Sequence, residues 1–219
     1  MPSDIKYFNF IKLVLLFFLS TPVTAETLPI ANFSATLLDG WENKEFNEKT
    51  DYRLSTSEDK TVLSAISQSS ASGLVKKTKV DIKKYPYLNW SWKIDNHLDI
   101  ENERIKAGDD FAARLYVVVS TGFMIWQKKV INYVWANNAV KEDVWENHYA
   151  GKRALMIAVR NKQDSTHTWF HEKRNIYEDL KQLFGKSFHY IHAVALMTDT
   201  DDSQTAAKSY YGDIYFSTD

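Results

Sequence analysis

In Gly108-Asp109-Asp110-Phe111-Ala112-Ala113-Arg114, a carboxylate and a guanidinium stand four residues apart at Asp110 and Arg114. On an extended strand two such residues share a face but lie roughly 13 Å apart, too far for a direct salt bridge. Their chemistry is then recognition: Asp110 and Arg114 engage different parts of one extended polar ligand, Arg114 through its planar donor fork. Tyr116, on the same face, offers a ring for stacking. The alternative is structural, each charge pairing with an opposite one on a neighbouring strand.

A second cluster ends an apolar run in Met197-Thr198-Asp199-Thr200-Asp201-Asp202-Ser203. Closely spaced carboxylates suit a hard cation such as Ca²⁺. The segment is not an EF-hand loop, because Gln204 and Tyr210 stand where that loop needs Gly and a bidentate Glu; a solvated acidic turn is the plainer reading. Asp110 with Asp199 or Asp201 would also form the carboxylate pair of a glycan-acting hydrolase, provided the carboxyls flank a cleft about 5–9.5 Å apart. Glu172 and Arg174, in Trp169-Phe170-His171-Glu172-Lys173-Arg174-Asn175, are further candidate ligand contacts. His167 and His171 sit too far apart on a strand to share one metal. No HExxH, Gly-x-Ser-x-Gly or Walker-type loop occurs.

The elements that must position these residues are strands. Leu88-Asn89-Trp90-Ser91-Trp92-Lys93-Ile94-Asp95 alternates, sending Leu88, Trp90, Trp92 and Ile94 to one side. Phe111 to Val119 alternates likewise, with Asp110, Arg114 and Tyr116 on its second side. Further strands are expected at 62–66, 74–80, 130–136, 154–159, 191–198 and 209–217, and their polar spacers point to an all-β antiparallel sandwich or jelly roll. One short amphipathic helix is expected over 172–184, where Ile176, Leu180, Leu183 and Phe184 recur and Gly185 closes the end.

Upstream, Lys6 and Lys12 flank Leu13-Val14-Leu15-Leu16-Phe17-Phe18-Leu19, and Val23-Thr24-Ala25 follows, which predicts a secretory signal cleaved after Ala25. A retained N-terminal anchor is the alternative. The expected product is a single domain over 26–219, periplasmic or secreted, without stable membrane insertion. The formal net charge of −1, with both signs interspersed, gives no reason to bind nucleic acid. With no cysteine in the chain, disulfides, thiolate catalysis and zinc–sulfur sites are excluded.

The segment Gly108 to Arg114, together with Ile131-Asn132-Tyr133-Val134-Trp135, Glu172-x-Arg174-Asn175, Phe184-Gly185, Met197-Thr198-Asp199-Thr200-Asp201 and Tyr211-Gly212-Asp213-Ile214, resembles the bacterial family known as domain of unknown function 3047. The resemblance spans roughly residues 30 to 217 in order and implies no catalytic residue. Phe33, Trp41, the strand around Trp90 and Trp92, and Tyr211-Gly212-Asp213-Ile214-Tyr215-Phe216 are also similar to galactose-binding-like jelly rolls and carbohydrate-binding modules. That similarity implies that Asp213 could ligate a structural Ca²⁺; no other cofactor is expected. The expected activity is non-catalytic binding of a glycan or small polar ligand by Asp110, Arg114, Tyr116, Arg174, Asp199 and Asp201. The alternatives are the carboxylate-pair hydrolase and an envelope assembly factor that docks another protein through an exposed apolar patch.

Overall fold

The structure, a computed structural model, describes residues 25–120, 122 and 127–219. Apart from Ala25, the expected export signal lies outside the described residues. The strands in chain order are β1 (Thr27–Ala31), β2 (Trp41–Asn47), β3 (Asp51–Ser57), β4 (Lys60–Gln68), β5 (Ala71–Asp81), β6 (Tyr87–Ile94), β7 (Arg114–Ser120), β8 (Lys128–Trp135), β9 (Val144–Asn147) and β10 (Gly151–Arg160). Then follow β11 (Phe170–Asn175), helix α1 (Ile176–Phe184), β12 (Tyr190–Asp199), β13 (Ala206–Tyr211) and β14 (Ile214–Ser217).

They form two seven-stranded sheets. The first runs β1-β14-β6-β13-β4-β3, with β11 on the other side of β6; the second runs β2-β5-β12-β7-β8-β10-β9. All the pairs are antiparallel except β8 with β10. Alternation decides which side of each strand meets the opposite sheet. Leu88, Trp90, Trp92 and Ile94 turn inward from β6 and meet Ile131, Tyr133 and Trp135 of β8, all at most 2 % exposed. The rings interlock, with centroids 5.4 Å apart for Trp90 and Tyr133 and 6.0 Å for Trp92 and Trp135. The core is therefore the aromatic seam that the alternation predicts. Among the described residues no helix is long and apolar enough to cross a membrane.

Two expected boundaries shift. The helix starts at Ile176, because Phe170–Asn175 pairs with β6 from Phe170 opposite Trp92 to Asn175 opposite Tyr87. The Asn175 side chain then caps α1 by accepting from the Glu178 N–H at 3.1 Å, and Gly185 ends it at φ 62°. The expected last strand, 209–217, breaks at Gly212-Asp213. There the Asp213 carboxylate accepts from the Ser34 backbone N–H at 2.9 Å and from its hydroxyl at 2.5 Å, tying the break to the 3₁₀ turn at Phe33–Ala35. Asp213 is thus spent on a fold contact, and the acidic cluster with ligand-like geometry lies elsewhere.

Candidate functional site

The second sheet has an inner side, packed on the first, and an outer side. Cross-strand registers place Glu42, Val75, Ala195, Tyr116, Asn132, Met156 and Trp145 in one row across its outer side. A parallel row holds Lys44, Gly73, Met197, Arg114, Val134 and Ala158. A third holds Lys77, Ala193, Val118, Val130 and Ala154. From Met197 to Ala193 these rows span about 13 Å along β12.

Ala193 and Ala195 point outward on this face and are each 8 % exposed. Toward β8 and β10 the outer side is covered, where Phe111, Val134, Trp145, Met156 and their small neighbours form a satellite apolar cluster. Phe46 is 62 % exposed on edge strand β2, its ring 5.0 Å from the ammonium of Lys44. Beside the apolar cluster, Asn132 is 1 % exposed and its Oδ1 has no hydrogen-bond partner among the described residues. A buried acceptor left unmet costs the fold on the order of 1–3 kcal/mol, and at this burial it is closed to a surface ligand.

At one end of the face the expected charged residues meet. Arg114 donates from Nε to Asp199 Oδ1 at 2.8 Å and from its terminal nitrogens to Asp199 Oδ2, the Asp109 carbonyl and the Tyr116 hydroxyl. Its guanidinium also lies 4.4 Å from the ring of Phe111. Asp110 accepts from the backbone N–H groups of Asp202 and Ser203, and Asp201 accepts from Asn47. One carboxylate oxygen each of Asp110, Asp199 and Asp201 lies within 4.8 Å of the others.

That spacing could hold a hard cation, yet the donor set is already committed. Both oxygens of Asp199 face Arg114, and a dication there would sit against a guanidinium. The fixed counter-charge of this cluster is Arg114. It does not balance the cluster: burial pushes the carboxyls of Asp199, Asp110 and Asp109 above the usual range, although Arg114 and local donors pull the other way. Burial likewise opposes the charge on Arg114, which Asp199 and its neighbours nonetheless hold firmly protonated.

Five of the six expected contact residues therefore converge, but their roles change. Asp110 and Asp199 are 0 % and 2 % exposed and Arg114 4 %, too buried to grip a ligand from the surface. They are the buried frame that holds Tyr116, which remains partly exposed. Arg174 is elsewhere: it pairs with Asp179 at 3.1 Å and Glu142 at 2.8 Å, and lies 5.6 Å from the ring of Tyr133 on the inner side of the sheet. Tyr133 in turn donates to Asp179, so Arg174 belongs to the junction of β11 and α1. Glu172 is likewise a fold contact, accepting from the Trp92 indole and from Arg160. Phe46, exposed on edge strand β2, is a candidate contact that sequence reasoning missed; its ring among the polar residues of that strand was the available signal.

Two surface hollows are lined by other residues. One, of 240 Å³, is lined by Glu103, Asn138 and Val140 among others. The other, of 470 Å³, is lined by Glu48, Asp51 and Gln68 among others. The Glu103 carboxylate is already filled by the backbone N–H groups of Asn137, Asn138 and Ala139.

The fold and this face define a β-sandwich of jelly-roll type. The profile of a family described as a protein of unknown function (DUF3047) matches residues 39–215, and the chain belongs to that family. No curated protein matches. Among solved structures, the chain is similar to a family 11 carbohydrate-binding module from Clostridium thermocellum in complex with a β-1,3-1,4-mixed-linked tetrasaccharide. That match has 8% identity and TM-score 0.48, covering 87% of this chain and 94% of that one. It is also similar to a family 29 carbohydrate-binding module from Piromyces equi, at 11% identity and TM-score 0.43, covering 90% and 93%. A third is the xyloglucanase domain of NopAA from Sinorhizobium fredii in complex with cellobiose, at 11% identity and TM-score 0.45, covering 86% and 94%.

Proposed function

We propose that the chain is an exported protein of the bacterial cell envelope that binds a glycan, without catalysis, on the outer face of its second sheet. The observation that carries this reading is the partly exposed Tyr116 on the outer face, its hydroxyl held by buried Arg114 and donating to Met197. The ring offers its face to a sugar's C–H groups. Gly73, Ala193 and Ala195 leave room beside it.

The glycosidase alternative has less support. A glycosidic oxygen must reach between the two carboxyls. Asp110 and Asp199 are shut off from solvent, their oxygens taken by Ser203 and Arg114.

Affinity electrophoresis of the full chain through gels containing bacterial and plant polysaccharides tests the reading. Retardation by at least one polysaccharide is expected. Tyr116→Ala should weaken it at least about tenfold, equivalent to about 1.4 kcal/mol. Uniform absence of retardation, or retardation indifferent to this change, would refute it.

A further inference from the structure

The small net charge conceals two opposite ends on the outer face. The acidic end is Asp109, Asp110 and Asp199, buried and answered by Arg114 and backbone N–H groups, with Asp201 and Asp202 beside them. Its charge is largely spent inside the protein. In and beyond the third row, at the opposite end, lie exposed ammonium groups. Lys77 registers with Ala193 and Lys79 follows two residues on; Lys128 registers with Ser120, and Lys152 precedes Ala154 by two. Lys77 is paired with Glu42 at 2.9 Å, and Lys79 lies 4.3 Å from the ring of Tyr190. Lys128 and Lys152 have no carboxylate partner among the described residues.

A chain lying along this face from Tyr116 would pass over Val118 and Val130 and then meet the lysines. We infer that the glycan recognised here is acidic, its sugars carrying carboxylates that the Lys128 and Lys152 end of the face receives. This rests on the glycan-binding reading above and adds the chemical class of the ligand. Carboxylate oxygens accept well from ammonium donors, and exposed cations attract them through a field that salt screens.

The test compares the full chain on polygalacturonate and on neutral mixed-linkage β-glucan, at about 0.02 M and about 1 M salt. It also compares the Lys128→Glu/Lys152→Glu double variant with the Tyr116→Ala variant, each checked for its melting transition. Polygalacturonate should be preferred at least about tenfold at low salt, and the preference should collapse at high salt and in the lysine double variant. Equal or stronger binding of β-glucan, indifferent to salt and to the lysines but lost with Tyr116→Ala, overturns the acidic ligand and leaves the site standing. Binding of neither polymer, or binding unmoved by Tyr116→Ala, overturns the site itself and this inference with it.

Discussion

Replacing Arg114 by Met is expected to destabilise the protein by about 3–5 kcal/mol, the cost of leaving one partner of a buried ion pair alone. In a protein of this size that lowers the melting temperature by about 6–20 °C. The effect is large because Arg114 answers three groups at once: both oxygens of Asp199, the Asp109 carbonyl and, at 3.6 Å, the Asp109 carboxylate. Without it, two nearly solvent-free carboxylates face each other and Asp110. Urea unfolding at neutral pH measures the loss. The double variant Arg114→Met/Asp199→Leu should recover much of it, since exchanging a whole buried pair for apolar groups is often near neutral. A loss below about 1 kcal/mol in the single variant would mean that the cluster is balanced by something other than Arg114.

Stability should fall as pH rises above the ordinary Asp range of about 4. Asp109, Asp110 and Asp199 bind protons more tightly in the folded chain than in the unfolded one, where an Asp titrates near 3.9. Between the two values the folded state holds more protons, so the stabilisation is full below the unfolded value and is lost as pH passes through the folded ones. Asp164 works in the opposite sense: burial opposes its ionisation, but Lys141, the Asn161 N–H and Arg160 hold its carboxyl below the usual range. Its stabilisation is lost only as pH drops further into acid. The melting temperature should therefore peak in mild acid, and Asp109→Asn should flatten the decline above the peak. A steady rise in melting temperature from pH 4 to pH 8 would contradict this.

Most of the sandwich is legible in the chain because alternation is strong wherever one side of a strand meets the aromatic seam. The β6 segment from Leu88 to Ile94 and the inward trio Ile131, Tyr133 and Trp135 follow directly from it. Strand β2 escapes because Trp-Glu-Asn-Lys-Glu-Phe-Asn at a sheet edge has polar residues on both sides. Strand β11 escapes because Phe-His-Glu-Lys-Arg-Asn carries charges that also suit the first turn of a helix, and only its register with β6 decides. Strand β7 begins at Arg114 rather than Phe111, since the Phe111 and Ala113 carbonyls accept single backbone bonds from Asp199 and Trp135 while the Ala112 carbonyl accepts from the Thr198 hydroxyl. Within the site, Asp110, Arg114, Tyr116, Asp199 and Asp201 are legible because charges and an aromatic at strand ends are conspicuous. Their burial is not, because it depends on Phe111, Trp145 and the 201–203 turn closing over them. Arg174 misleads for a related reason: its partner Asp179 lies across a strand-to-helix boundary that the sequence blurs.

The central claim is that the outer face of the second sheet receives the ligand. Backbone amide chemical-shift mapping tests it directly, with the chain titrated by oligosaccharide fragments of the polysaccharide that retards it most. The largest shifts should cluster at Gly73, Tyr116, Asn132 and Ala195, neighbours across four strands of that face. Largest shifts at Arg53, Ser64, Lys93 and Tyr210 on the first sheet, with those four unmoved, would contradict it.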